Sequence, residues 1–379
     1  MSASQIEVAI GPASAARMTL DDAGNVARIE TAARAKDANG ALVTFGLVDL
    51  QVNGFAGVDF NDPALSSADF ERALKAMAAT GCLTCLPTLI SAAIDRLESS
   101  FRALERATQA SPLARLMVPG YHLEGPFLSA VEGYRGCHPA EAMRPADAAL
   151  FDRLNDAAGG RIRLLTLAPE VPGAIALIEH AQKRGVAVAL GHTGANAAQV
   201  AAAAASGATL STHLGNGTPY ILPRTDNVIL AQLADDRLMA SFIADGLHVP
   251  PATLRVYARA KGFGRTVLVT DATAAAAAGP GDYTLGPVKI RREGDDPPCL
   301  PGTTRLAGSA LTLDRAVNNM GEWLGIGFMG AVAMARDLPL KLLGKPALPE
   351  KGAPAGLVRW RRDGGGYRVA EWRIGALAA

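Results

Sequence analysis

The chain has 379 residues, a formal net charge of +1, 49% apolar residues and 19% charged ones. With no basic excess to displace counterions, a general nucleic-acid or polyanion surface is excluded, and the apolar content describes a globular core rather than a disordered chain. The length suits one large domain with a smaller appendage.

Residues 1–20 have no charged segment leading into a continuous apolar stretch, so no secretory signal is expected. No run reaches about 18 apolar residues free of charge or turn signals, so no membrane span is expected either. The cytoplasm is the expected compartment. Residues 6–42 alternate in short runs broken at Gly11, Asp21-Asp22, Gly24 and Asn39-Gly40, which reads as small antiparallel strands. Eight strand-like segments follow, at 47–52, 82–90, 117–123, 162–168, 186–190, 209–214, 238–244 and 266–270. Helical stretches separate many of them, among them 69–79, 175–184, 195–206 and 251–261. The third of these is nearly all alanine, and Gly207 supplies its C-terminal stop. Near the end, 356–360 and 367–374 flank the turn 363–366 and form a hairpin pattern.

The eight strand–helix repeats predict a (β/α)8, TIM-like barrel over 46–340, with its chemistry at the C-terminal ends of the strands. A doubly wound sheet fits the alternation but would not bring polar residues from so many strands to one point. Segments 1–45 and 341–379 are expected to pair into a small β-sandwich.

Polar residues fall where the barrel reading needs them: Gln51 and Asn53, Glu124, His192, His213, Asp245 and His248, and Asp271. His122 and Glu124 share a strand face, which on a barrel strand is the interior. An unpaired carboxylate is costly there unless it binds metal or accepts hydrogen bonds, and the Gly125-Pro126 turn could supply the latter. His192 and His213 each end a strand. Either alone would suit a hydrogen-bonded core histidine. Together with a carboxylate from a third strand they favour a metal site with three protein ligands and an open position. Asp271 could move protons beside such a site or simply cap a helix, although the following 272–281 reads as a flexible loop. The small-residue turn Leu306-Ala307-Gly308-Ser309 could line a pocket with backbone amides. The four cysteines do not form a disulfide framework. Cys82 and Cys85 match C-x-x-C but lie in an apolar strand, where buried thiols are the simpler reading.

In chain order, Gly46-Leu47-Val48-Asp49-Leu50-Gln51-Val52-Asn53-Gly54, Pro87-Thr88-Leu89, His122-Leu123-Glu124-Gly125-Pro126-Phe127, Leu167-Ala168-Pro169-Glu170, Gly191-His192-Thr193, Thr212-His213-Leu214-Gly215-Asn216, Ala244-Asp245-Gly246-Leu247-His248, Thr270-Asp271-Ala272 and Leu306-Ala307-Gly308-Ser309 resemble the N-acetylglucosamine-6-phosphate deacetylases of the amidohydrolase superfamily. The resemblance implies one divalent metal per chain held by Glu124, His192 and His213. Zinc is the first expectation, and iron(II), manganese or cobalt can also fill such a site. Gln51 and Asn53 stand where two-metal relatives carry His-x-His. The resemblance further implies Asp271 as proton shuttle and His138 as stabiliser of the oxyanion. It gives Asn216, Gly217, Arg224, His248 and the Leu306-Ala307-Gly308 turn to an amino sugar phosphate, within a homodimer whose Arg224 crosses to the other subunit. Neither a nucleic acid nor a membrane is an expected partner.

The chain departs from the family pattern at Tyr134-Arg135, Gly215, Gly217-Thr218 and Thr225-Asp226-Asn227. All of these touch recognition, while the metal and catalytic positions match. The same amide hydrolysis on N-acetylgalactosamine 6-phosphate, an unphosphorylated amino sugar or an N-acyl amino acid is therefore the alternative. A metal-free binding protein is disfavoured because all four of Glu124, His192, His213 and Asp271 are present. An aldolase or isomerase would ordinarily need a lysine or carboxylate base, and no strand end of this chain offers a lysine.

Overall fold

The computed structural model describes residues 5–33 and 42–378; the expected break at Asn39-Gly40 lies outside them. Eight parallel strands neighbour one another in chain order: β1 (Leu47–Val52), β2 (Cys82–Ile90), β3 (Tyr121–Glu124), β4 (Ile162–Leu167), β5 (Ala187–Leu190), β6 (Ala208–Ser211), β7 (Met239–Ile243) and β8 (Thr266–Val269). Helices cover the outside, and each has the local chemistry to form. Ser67–Ala78 is capped by the Ser66 hydroxyl, which accepts from Asp69 N. Ala197–Ala205 opens on a capping box between Asn196 and Gln199, and Gly207 with φ +115° ends it. Among the described residues no helix is long and apolar enough to cross a membrane.

Two strands differ from their expected extents by more than one residue at an end. The segment expected as a strand over 117–123 is divided: Pro112–Met117 is a short helix, and β3 begins only at Tyr121. Pro119 has no N–H to give a ladder, which delays the strand. β6 stops at Ser211 rather than 214 because the chain turns there, with His213 at φ +29°.

The chain ends share a separate seven-stranded sheet. Leu42–Phe45 pairs antiparallel with Gly356–Asp363 and parallel with Ile6–Ala9, so the opening strands are not all antiparallel. Gly356–Asp363 and Gly366–Ile374 form the expected hairpin. Val8, Met18, Val26, Phe45, Ala355 and Leu357 give this sheet a small core of its own. A hairpin not foreseen from the sequence, Gly281–Leu285 with Val288–Arg292, folds beside the barrel mouth. Asp59, a buried carboxylate, ties it down by accepting from Thr284 Oγ1 and Gly286 N. The preceding turn is no loose loop: residues 272–276 are buried, and Ala56 N and Gly57 N donate to Ala276 O and Ala274 O.

The seam between β8 and β1 closes through side chains and a few main-chain bonds. Thr270 Oγ1 donates to Asp49 Oδ2 at 2.5 Å, while Thr270 N and Gln51 N donate to Asp49 Oδ1. Asp271 N donates to Gln51 O, and Asn53 N to Ala272 O. Asp49 is fully buried, and burial pushes its pKa up to about 7 against the pull of the Thr270 and Gln51 hydrogen bonds. A carboxyl raised in the folded state favours folding most below its unfolded value near 4. That contribution is lost as pH rises toward 7, because the folded chain binds the extra proton. The change is on the order of a few kcal/mol. Asp49→Asn keeps one acceptor oxygen for the two main-chain amides and removes the titration. Wild-type Tm should therefore fall relative to Asp49→Asn between pH 4.5 and 8 in matched thermal melts, and a pH-independent gap between the two would refute the assignment.

Candidate active site

The barrel strands deliver their terminal side chains into one cavity of about 700 Å³. Its lining includes Asn53, Glu124, His138, His192, His213, Asn216, Gly217, His248, Asp271, Leu306 and Gly308. Glu124 ends β3. His192, His213 and Asp271 each lie two residues beyond β5, β6 and β8. All three adopt left-handed backbone, with φ of +50°, +29° and +49°. That conformation costs a non-glycine residue roughly 1–2 kcal/mol, and here it turns each side chain inward from the strand end.

Glu124 is 2% exposed. Its Oε1 accepts from Gln51 Nε2 at 3.0 Å and lies 3.0 Å from His213 Nε2 and 3.3 Å from His192 Nε2. One ligand atom from each of Glu124, His192 and His213 falls within 4.8 Å of the others. The tautomer of His192 bears on what holds them together. Its Nδ1 donates to Tyr134 O at 2.9 Å, so Nε2 turns a lone pair toward the carboxylate. A lone pair facing an anion in a buried site is repulsive until a cation lies between them. Burial works to raise the Glu124 carboxyl, and the His213 hydrogen bond and charge work against it. Burial likewise works to lower His213, while the Glu124 hydrogen bond and charge raise it. The cluster calls for positive charge, and a carboxylate with two imidazoles is a donor set suited to a divalent metal.

The His192 ring is wedged by backbone on two sides. A Cβ on Gly217 would lie 2.6 Å from His192 Nδ1, and one on Gly136 would lie 2.8 Å from His192 Cε1. No side chain fits at either position. Glu170 braces the same turn, accepting from Thr193 Oγ1 and, at 2.7 Å, from Gly194 N.

Asp271 faces the cluster from across the barrel. Burial and then the Glu124 charge raise its pKa to about 6, opposed by His213, His248 and the hydrogen bond that Asn53 Nδ2 donates at 2.7 Å. His138, at the cavity wall, is pushed down to about 3, chiefly by burial and next by His192, so its ring is neutral. His248 lies 2.6 Å from Asp245 through Nδ1, and Asp245 also accepts the main-chain amides of Leu247 and His248.

Not every expected residue meets in this cavity. Ala307 is buried in an apolar cluster with Ile90, Leu285 and Ile290, and its amide donates to Pro298 O, while only Leu306 and Gly308 of its turn line the space. Arg224 is exposed and lines no part of it. Its loop projects Tyr220 and Ile221, which are 97% and 89% exposed. Cys82 and Cys85 are buried, and burial drives both thiols far up, as core residues require. Sequence reasoning noticed Gln51 and Asn53 as strand-end amides without assigning their partners, Glu124 and Asp271. It missed the Glu132–Arg305 ion pair at 2.7 Å, which links the turn after β3 to the loop before Leu306.

No family model matches the chain. Curated relatives do. The chain is 34% identical over 298 residues to an N-acetylgalactosamine-6-phosphate deacetylase of Escherichia coli O157:H7, covering 78% of this chain and 77% of the relative. It is 34% identical over 321 residues to the human N-acetylglucosamine-6-phosphate deacetylase, covering 82% and 76%. Among solved structures, an Asp-to-Ala mutant of the Mycobacterium smegmatis N-acetyl-D-glucosamine-6-phosphate deacetylase, in complex with N-acetyl-D-glucosamine-6-phosphate, superposes with a TM-score of 0.84 at 30% identity. That match covers 96% of this chain and 94% of the other.

A site that demands a cation has a thermodynamic signature. Adding zinc to metal-stripped protein should raise stability by about 2.7 kcal/mol at a hundredfold excess over Kd. Glu124→Gln should abolish the rise and retain far less metal after dialysis, as read by thermal melts and elemental analysis. Equal metal content in the variant and the parent would remove Glu124 from the site.

Proposed function

The chain belongs to the N-acetylglucosamine-6-phosphate deacetylase family, and on that premise we propose that it hydrolyses the acetamide of N-acetylglucosamine 6-phosphate to glucosamine 6-phosphate and acetate. The observation that carries this reading is the convergence of Asp271, a neutral His138 and the Glu124–His192–His213 cluster on one cavity. We assign one divalent cation to that cluster, zinc first; when bound it supplies Lewis-acid polarisation and lowers the pKa of water. Gln51 donates an N–H to Glu124, and Asn53 donates to Asp271, so these amides serve the carboxylates rather than a second cation.

The chain's own groups then have separate tasks. Asp271, with a pKa of about 6, takes a proton from the attacking water. The water oxygen bonds to the acetyl carbon, the C–N bond breaks, and the same proton passes from Asp271 to the departing nitrogen. His138 donates a hydrogen bond to the carbonyl oxygen as it gains charge. At the other end of the cavity we assign the phosphate to His248, Asn216 and the main chain of Gly217, with Leu306 and Gly308 along the sugar. Arg224 is turned to solvent on a loop with an apolar tip, which suits a homodimer in which the partner's Arg224 reaches the phosphate; the planar guanidinium gives that anion two parallel hydrogen bonds.

A second reading, N-acetylgalactosamine 6-phosphate, draws on the E. coli relative and on the altered segment around Gly215, Thr218 and Thr225. Amine release from both phosphorylated sugars and their unphosphorylated counterparts decides between them. The gluco phosphate should turn over fastest; a preference for the galacto epimer would overturn the first reading, and equal rates without phosphate would remove the anion site. Asp271→Asn should lower kcat by about 10²–10⁴-fold. Arg224→Ala should raise KM for the phosphorylated sugar, and co-expression with Asp271→Asn should restore activity in mixed dimers. Failure of that complementation would place the phosphate contact within one chain.

A further inference from the structure

Under the proposed reading His138 donates a hydrogen bond, and a neutral imidazole donates only from the nitrogen that bears its proton. Nothing in the chemistry of the ring alone selects that nitrogen. The selection comes from the residue just past β2. Ser91 is fully buried, its main-chain N–H points at His138 Nδ1 over 3.3 Å, and its hydroxyl oxygen lies 2.9 Å from the same atom. A backbone amide can only donate. A proton on Nδ1 would set two N–H groups head to head and would leave the buried amide of Ser91 without an acceptor. The alternative, in which the ring donates to the hydroxyl and the hydroxyl donates on to Glu124 O, relies on a contact of 3.4 Å, longer than a good O–H···O bond.

We propose that Ser91 is a positioning residue, whose amide and hydroxyl hold His138 in the Nε2–H tautomer and aim that N–H at the oxygen of the scissile carbonyl. Nε2 is the nitrogen on the cavity side, 3.8 Å from Glu124 Oε2 and beside His192, with ring centroids 4.4 Å apart. The arrangement mirrors His192, where the outer nitrogen donates to a backbone carbonyl and the inner one carries a lone pair. One ring is thus fixed as a donor and its neighbour as a ligand, each by a main-chain group of opposite polarity. The kinetic consequence rests on the amide-hydrolysis reading, whereas the tautomer does not.

The test separates the two. In zinc-loaded protein labelled with ¹⁵N at histidine, a long-range ¹H–¹⁵N correlation spectrum distinguishes protonated from lone-pair ring nitrogens, and His138→Asn identifies the signal among the six histidines. A protonated Nε2 with a lone pair on Nδ1 is expected. The reverse pattern overturns the proposal, whatever the enzyme hydrolyses. Ser91→Ala keeps the amide but loses the 2.9 Å hydroxyl contact, so the Nε2–H tautomer should persist while the ring is held less firmly. Its kcat should fall about tenfold with KM unchanged, a fraction of the ~10²–10³ lost with a whole oxyanion donor. An unchanged kcat in Ser91→Ala, with only KM altered, would also overturn it. A wild-type enzyme inert toward amino sugar phosphates yet showing the expected spectrum would fault the substrate reading and support the tautomer.

Discussion

A fully buried carboxylate facing the lone pair of a neighbouring imidazole is the constraint around which the barrel mouth is organised. Glu124 is inside because β3 alternates and its inward positions are His122 and Glu124. Lower in the barrel the same face stays neutral. His122 meets Thr88 Oγ1 and Thr166 Oγ1, and burial holds its pKa near 4. One step higher, a charge appears that hydroxyls alone do not balance. Gln51 gives Glu124 a single N–H, and the rest of the deficit falls to the groups around it.

The surrounding structure can be understood as enforcing that arrangement. Left-handed backbone at His192, His213 and Asp271 is unfavourable locally, and it persists because the turns that carry it are packed and bonded on both sides. Glu170 clamps the His192 turn. Ser241 Oγ accepts the amide of His213. The Asp49–Thr270 seam fixes the residue before Asp271. Stability is therefore sacrificed where the side chains must converge and recovered in strands buried on both faces, as expected of a preorganised site.

Much of this was legible in the sequence because it depends on short-range periodicity. Strand ends, the shared face of His122 and Glu124, and histidines placed just after apolar runs need only a local reading. The chain order of the motifs then pointed to the family. What escaped is long-range. Ser91 and His138 are 47 residues apart, Asn53 and Asp271 218 apart, and Glu132 and Arg305 meet only through two loops. No local pattern encodes those partnerships. The hairpin Gly281–Leu285 with Val288–Arg292 was hidden for another reason: its alternation is short, and the small residues before it suggested a loose segment, whereas they pack tightly against Ala56 and Gly57.

The two ends of the cavity are built by different means, and that difference has a functional consequence. The groups proposed to do the chemistry project from strand ends or sit directly against them, where a change in one position disturbs a closed barrel. Under the proposed function, recognition of the sugar and its anion falls to loops: the glycine-rich turn at Gly215 and Gly217, the exposed arm carrying Tyr220, Ile221 and Arg224, and the Glu132–Arg305 link across the rim. An exposed ion pair of that kind contributes little to stability, so those positions can vary without cost to the fold. The departures from the family pattern fall in those loops and at Tyr134-Arg135, where Tyr134 serves His192 through its main-chain carbonyl and Arg135 donates to His138 O. Under that proposal a barrel so divided can keep one hydrolytic reaction while its substrate changes, with the sugar chosen by the loops and the amide cleaved at the strand ends.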